Sequence, residues 1–153
     1  MAGSMGVVTA SGMLHTVRVR EKALGREARE DEFEPLDWQS MQKAKNYSAG
    51  QILGARAVFD QAGRILDEVF SRYDLILSPT TAALPPRLGE LSLDQPFDDF
   101  ARRAVLASAF TSMFNISGHP AMSVPLHWSA EGLPVGAQFA APFGGEARLI
   151  ALA

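Results

Sequence analysis

Apolar side chains recur along the first half of the chain at helical steps. Val7, Ala10, Leu14, Val17 and Leu24 share one face, with Arg18, Arg20, Glu21 and Lys22 mostly on the other, which predicts a surface helix from Gly6 to about Ala28. A densely charged run, Arg26 to Glu34, ends at Pro35, and a short helix over Asp37–Lys45 offers Trp38 and Met41 for packing. Ser48-Ala-Gly-Gln51 then fits a capping box, in which serine and glutamine side chains each satisfy an orphan backbone amide. Behind it Ile52, Ala55, Phe59, Ala62, Leu66 and Val69 form a stripe widened by Val58, Ile65 and Phe70, while Arg56, Asp60, Arg64 and Asp67 lie off it. This helix should pack heavily on one face.

The period changes at Asp74. Three consecutive aliphatics, Leu75, Ile76 and Leu77, closed by Ser78-Pro79, predict a strand covered on both faces, as in a parallel sheet. Residues 82–93, with Pro85-Pro86 and Gly89, predict a loop at the carboxyl end of that strand, where ligands of open α/β sheets sit. Pro96 opens a second helix whose face of Phe97, Ala101, Ala104, Ser108, Thr111 and Phe114 is rich in small residues and predicts burial on more than one side; Gly118 and Pro120 stop it. The runs 121–128 and 133–140, joined by Ser129-Ala-Glu-Gly132, predict a β-hairpin, and Pro125 and Pro134 place each run at an edge or a strand end. A final helix begins near Gly145. Three strands of this kind call for more sheet than the chain supplies, so the periodicity predicts an incomplete α/β architecture.

Charge and composition sharpen this division. Of 31 charged residues, 21 lie in residues 1–74 with a single proline, whereas residues 75–153 hold the other eight prolines, so helix is expected before the boundary and strands and turns after it. A net charge of -3 lacks the basic surplus of a nucleic-acid binder, so no nucleic-acid partner is expected. The absence of cysteine removes thiolate chemistry and cysteine-based metal sites and fits cytoplasmic residence. No apolar run reaches the ~18 residues of a membrane span, so no membrane partner is expected either. Met1–Met5 reads as a cloning remnant and is set apart from 6–153, of which 6–72 is mainly helical and 73–153 carries strands, helix and hairpin.

The candidate chemistry is sparse. Ser40-Met-Gln-Lys43 matches a Ser-x-x-Lys spacing without its companion elements, and no Gly-x-Ser-x-Gly elbow, phosphate loop or His-Glu-x-x-His occurs. The acidic run at 26–34 reads as a solvated helix end rather than a metal site. Asn46-Tyr-Ser48 and Asn115-Ile-Ser117 are formal glycosylation sequons that carry little weight here. Among the histidines, His15 falls in a charged helix and His127 in a strand, leaving His119, in the loop after a helix, as the one in a plausible cleft.

One ordered series does stand out: Glu34-Pro35, Tyr73-Asp-Leu-Ile-Leu-Ser-Pro-Thr80, Phe110-Thr111, Asn115, Gly118-His-Pro-Ala-Met-Ser-Val-Pro125, Gly132-Leu-Pro-Val-Gly-Ala-Gln138 and Glu146-Ala-Arg-Leu-Ile. It resembles the carboxy-terminal part of the amidase signature family, from about Val7 to Ala153 and most specifically from Tyr73 onward. The resemblance implies part of an α/β/α fold, a partial mixed sheet flanked by helices, in hydrolases that cleave carbon–nitrogen amide bonds. It also implies a serine nucleophile, activated through a second serine in a cis peptide by a lysine. This chain has no Gly-Gly-Ser-Ser-Gly-type segment, and Lys22, Lys43 and Lys45 match family helices, so no catalytic residue, no metal ligand and no cofactor is assigned. The resemblance places Thr80, Asn115 and His119 along the substrate cleft. The expectation is a carboxy-terminal fragment, inactive alone and prone to self-association, that supplies sheet and cleft wall for a small-molecule amide substrate. The rival expectation is a non-catalytic interaction module derived from the same family.

Overall fold

The computed structural model describes residues 2–153. The chain forms two compact units, one running up to Val58 and including Ser92–Phe100, the other made of Phe59–Leu91 and Ala101–Ala153.

The first unit holds α1 (Ala2–Leu24), a single 3-10 turn (Glu30–Glu32), α2 (Pro35–Ala44) and the start of α3 (Ala49–Phe70). Helix α1 begins at Ala2, so residues 2–5 continue the expected helix; Ser4 and Met5 are half-buried within it. It stops at Leu24, earlier than its apolar spacing predicts. Gly25 takes φ +66 there and the amide of Arg26 donates to Glu21 O at 3.3 Å, the six-to-one bond of a left-handed helix stop. Ala10 is buried and Leu14 and Val17 are half-buried, as their spacing predicts, and α2 buries Leu36, Met41 and Ala44. Lys43 Nζ lies 5.1 Å above the Phe97 ring and Lys45 Nζ 5.9 Å above Trp38, which stacks on Phe33. These lysines pack by their charge against ring faces.

At the head of α3 the capping box is formed in full. Gln51 N donates to Ser48 Oγ at 3.2 Å, and Ser48 N donates to Gln51 Oε1 at 2.8 Å. The stripe from Ile52 to Val69 faces inward, with Ala55, Ala62 and Leu66 buried, and Arg56, Asp60, Arg64 and Asp67 are exposed. Ile65 departs from expectation at 54% exposed, on the flank of the stripe.

The second unit takes the rest of α3, β1 (Ile76–Pro79), most of α4 (Phe97–Ser108), α5 (Ser112–Ser117), the hairpin β2 (Ala121–Trp128) and β3 (Pro134–Ala140), and α6 (Glu146–Leu152). The sheet order is β1-β3-β2, and both pairings are antiparallel. This corrects the expectation of a parallel-type strand with two covered faces: β1 alternates, with Ile76 and Ser78 turned inward and Leu77 66% exposed. Three aliphatics in a row met a half-covered antiparallel strand, which the run alone cannot distinguish from a doubly covered one. The prolines obey the ladder. Pro125 lies on edge strand β2, beside a register shift before His127, and Pro134 opens β3. Gly132 closes the hairpin at φ +76.

A second correction concerns the helix opened at Pro96. It divides into α4 and α5, and no residue of α4 is buried, with Val105 and Leu106 at least half exposed. Ser108 Oγ donates back to Ala104 O at 2.8 Å, a side-chain bond of the kind that competes with helix continuation. Gly118 ends α5 at φ +79, as expected.

The core of this unit is Leu66, Phe114 and Ala140, with Phe70, Ile76 and Met113 packed against it. Directly opposed residues of an antiparallel pair share a face, so Ile76, Ser78, Ala140 and Gln138 lie together above that core. Buried Gln138 donates through Nε2 to Ser78 Oγ at 3.1 Å and Phe110 O at 3.2 Å, which satisfies its amide hydrogens inside the unit. Arg148 fastens α6 to the approach of β1, donating 2.9 Å to Asp74 Oδ1.

Candidate functional site

The face of the sheet that begins over the core at Ile76 and Ala140 opens at its other end into a cavity of about 440 Å³. Register builds its floor. Ser78 and Ser123 both oppose Gln138 on central β3, so two residues further on Thr80 comes over Gly136, whose carbonyl accepts the Thr80 amide at 3.0 Å. Thr80 Oγ1 and Ser123 Oγ then meet at 2.6 Å, a hydrogen bond across 43 residues of chain. A Cβ built on Gly136 would lie 2.6 Å from the first oxygen and 2.7 Å from the second, so glycine is what lets the hydroxyls meet. Ala83, Leu84, Pro85, Pro125, Pro134 and Val135 form apolar walls around the pair.

Thr80, expected on sequence grounds at the cleft, is therefore on a cavity wall. Ser123 and Gly136 were not singled out in the sequence; a glycine inside a strand run is the signal that marks a close backbone approach.

His119 and Asn115 lie elsewhere. The His119 side chain has no exposed surface and lies between Phe70, stacked on it with centroids 5.2 Å apart, and Phe143, tilted against it at 4.2 Å. Its Nδ1 is 3.1 Å from Ser117 Oγ, and its Nε2 is 3.2 Å from Asp67 Oδ1. The carboxylate only accepts, which puts a ring proton on Nε2. Serine, histidine and aspartate are thus linked, but with aspartate on Nε2 and serine on Nδ1, the reverse of a hydrolytic triad, and with the ring enclosed; the set ties α3 to the loop between α5 and β2. Asn115 is exposed on α5, and neither it nor His119 belongs to the Thr80 cavity.

In the acidic run of the first unit, Asp31 and Glu32 pair with arginines of the same run. Arg26 Nη2 donates to Glu32 Oε1 at 2.6 Å, and Arg29 N to Glu32 Oε2 at 3.0 Å. The Arg26 hydrogen bond, with that backbone amide, holds the Glu32 carboxyl down at about 2. Among the described residues no group of three or more His, Asp or Glu side chains is placed to hold a metal ion.

The chain resembles several known proteins over most of its length. The 6-aminohexanoate-cyclic-dimer hydrolase of Pseudomonas sp. (strain NK87) is 32% identical over 140 residues, which are 85% of this chain and 28% of the relative. The lipoamidase of Enterococcus faecalis is 28% identical over 165 residues, 95% of this chain and 23% of the relative. A solved structure of 6-aminohexanoate cyclic dimer hydrolase complexed with substrate superposes with a TM-score of 0.86 at 25% identity, across 96% of this chain and 32% of that one. The chain spans less than a third of the length of each of these relatives. The model of the family described as Amidase matches residues 4–150, and with nearly its whole length inside that match the chain belongs to the amidase family.

Proposed function

We propose that this chain is the carboxy-terminal part of a hydrolase that cleaves carbon–nitrogen amide bonds, and that it supplies sheet and cleft wall while the nucleophile comes from polypeptide outside residues 1–153. The observation that carries this reading is the family match over residues 4–150 in a chain without a Gly/Ser-rich nucleophile segment. In the complete protein a serine hydroxyl, relieved of its proton by a neighbouring base, attacks the amide carbonyl, and backbone amides stabilise the oxyanion. Thr80 lines the substrate side, Asn115 stands exposed on α5 outside that cavity, and His119 positions the loop that carries Gly118 and Pro120. One relative is named a 6-aminohexanoate-cyclic-dimer hydrolase and another a lipoamidase, and these names support an amide as substrate.

The test compares two proteins. Purified residues 1–153 should show no amide turnover. The product of the same gene extended upstream of Met1 should hydrolyse hexanamide and lose that activity to a serine-reactive phosphonate. Phosphonate-sensitive turnover by residues 1–153 alone, or an extended product with no turnover, overturns the reading.

A further inference from the structure

A cavity of about 590 Å³ opens between α1 and α2 in the first unit, and it shares no residue with the Thr80 cavity. Val17 and Trp38 give it an apolar wall, and four charged side chains line it, two of each sign: Arg18 and Lys45, Glu21 and Glu27. Opposite charges this close commonly neutralise each other, and Arg18 and Glu21 even stand three residues apart on α1, a spacing that favours pairing. Here they do not pair. Among the described residues the Arg18 and Glu27 side chains make no hydrogen bond or ion pair. Lys45 extends over the Trp38 ring, with Nζ 5.9 Å from the centroid, rather than to a carboxylate. Glu21 accepts from the Ala28 amide at 2.8 Å through one oxygen only, a bond that draws the chain back against α1 and sets Glu27 at the rim.

The charges are also sorted by place. Phe33, just ahead of α2, shares a neighbouring cavity with Leu24 at the end of α1, so α2 starts beside that end and runs back along α1. Glu21 and Glu27 therefore stand by the start of α2, whereas Lys45 follows its last turn and Arg18 lies one turn back along α1.

We propose that this cavity binds a free ω-amino acid: Arg18 and Lys45 take the carboxylate, Glu21 and Glu27 take the ammonium, and the methylene chain lies on Val17 and Trp38. Only a zwitterion completes both pairs. A simple anion satisfies the two cations but leaves two carboxylates facing it, and a simple amine meets two cations in the same way; each like-charge approach costs affinity. A neutral ligand covers the Trp38 face but strips water from four charges without replacing it. The site lies beyond the proposed hydrolase function and does not depend on it.

The experiment reads binding alone. The 15N-labelled 153-residue chain is titrated at pH 7 with 5-aminopentanoate and 7-aminoheptanoate, and with the acid and the amine of each length that lack one of the two charges. At least one zwitterion should shift the amides of Arg18, Glu27 and Gln42 saturably and bind about two- to fivefold more tightly than either singly charged partner, the worth of one exposed ion pair. Arg18→Gln should bring the zwitterion down to the affinity of the amine, and Glu27→Gln down to that of the acid, with other resonances in place. Both positions are exposed, and if one variant fails to fold the other decides. No saturable shift with either zwitterion, equal binding of a singly charged probe, or unaltered affinity in the variants overturns the site.

Discussion

Glu32 is the residue whose surroundings most alter its chemistry. The guanidinium of Arg26 and the amide of Arg29 both stabilise its ionised form, and its pKa falls from 4.5 to about 2. A depressed carboxylate contributes stability that is fully present above about pH 4.5 and is lost as the pH falls through about 2. Titration followed by carboxyl 13C shifts should therefore place the Glu32 midpoint near 2, and Arg26→Ala should return it toward the ordinary glutamate range. A wild-type midpoint near 4.5 would show that the pair does not persist in solution. The density of opposite charges at 26–34 was legible as a solvated segment, but which charges pair was not. Pairing depends on the 3-10 turn that folds Glu32 back over Arg26, and six residues of mixed charge do not specify such a turn. His119 shows the same limit from the other direction. A histidine in a helix-stop loop reads as available, and only the approach of Phe70 and Phe143, from segments far away in sequence, encloses it.

Local signals at the ends of elements proved decisive. The capping box at Ser48, the glycine stop at Gly118 and the glycine hairpin turn at Gly132 were all readable, because each is satisfied by atoms within a few residues. Ser48→Ala should lower the unfolding free energy by about 1 kcal/mol, seen as a lower urea midpoint with unchanged slope, since the first turn of α3 loses its capping acceptor. No change in midpoint would mean that water replaces the hydroxyl without cost. Strand orientation was less accessible. Leu75, Ile76 and Leu77 carry no mark of the direction of their partner, and the antiparallel pairing of β1 follows from β3, which lies far downstream. The division of α4 from α5 is likewise not displayed by composition, since the apolar and small residues continue at helical spacing through Ser108 and Thr111.

Across the whole chain, the resemblance carried in scattered motifs was sufficient for the family, whereas the cavity required register. Thr80, Ser123 and Gly136 lie on three different strands or strand ends, and only the pairing to Gln138 brings them to one point. The same sheet leaves Leu77 66% exposed on the face away from the core. We propose that this unpaired edge of β1, with Leu77 on it, is where two copies of the chain would meet. Sedimentation velocity at micromolar concentration should show concentration-dependent association of residues 1–153 that Leu77→Lys reduces; a wild-type chain that stays monomeric would count against this.

Sheet order also has a consequence in time. The central strand β3 is the last of the three to be synthesised, and Ser78 lies 60 residues ahead of the Gln138 that it pairs with. Neither β1 nor β2 is a neighbour of the other, so a nascent chain that has reached Trp128 carries two strands with no ladder between them. Within these residues, then, both pairings wait on the turn at Gly132, which presents one strand to two edges at once.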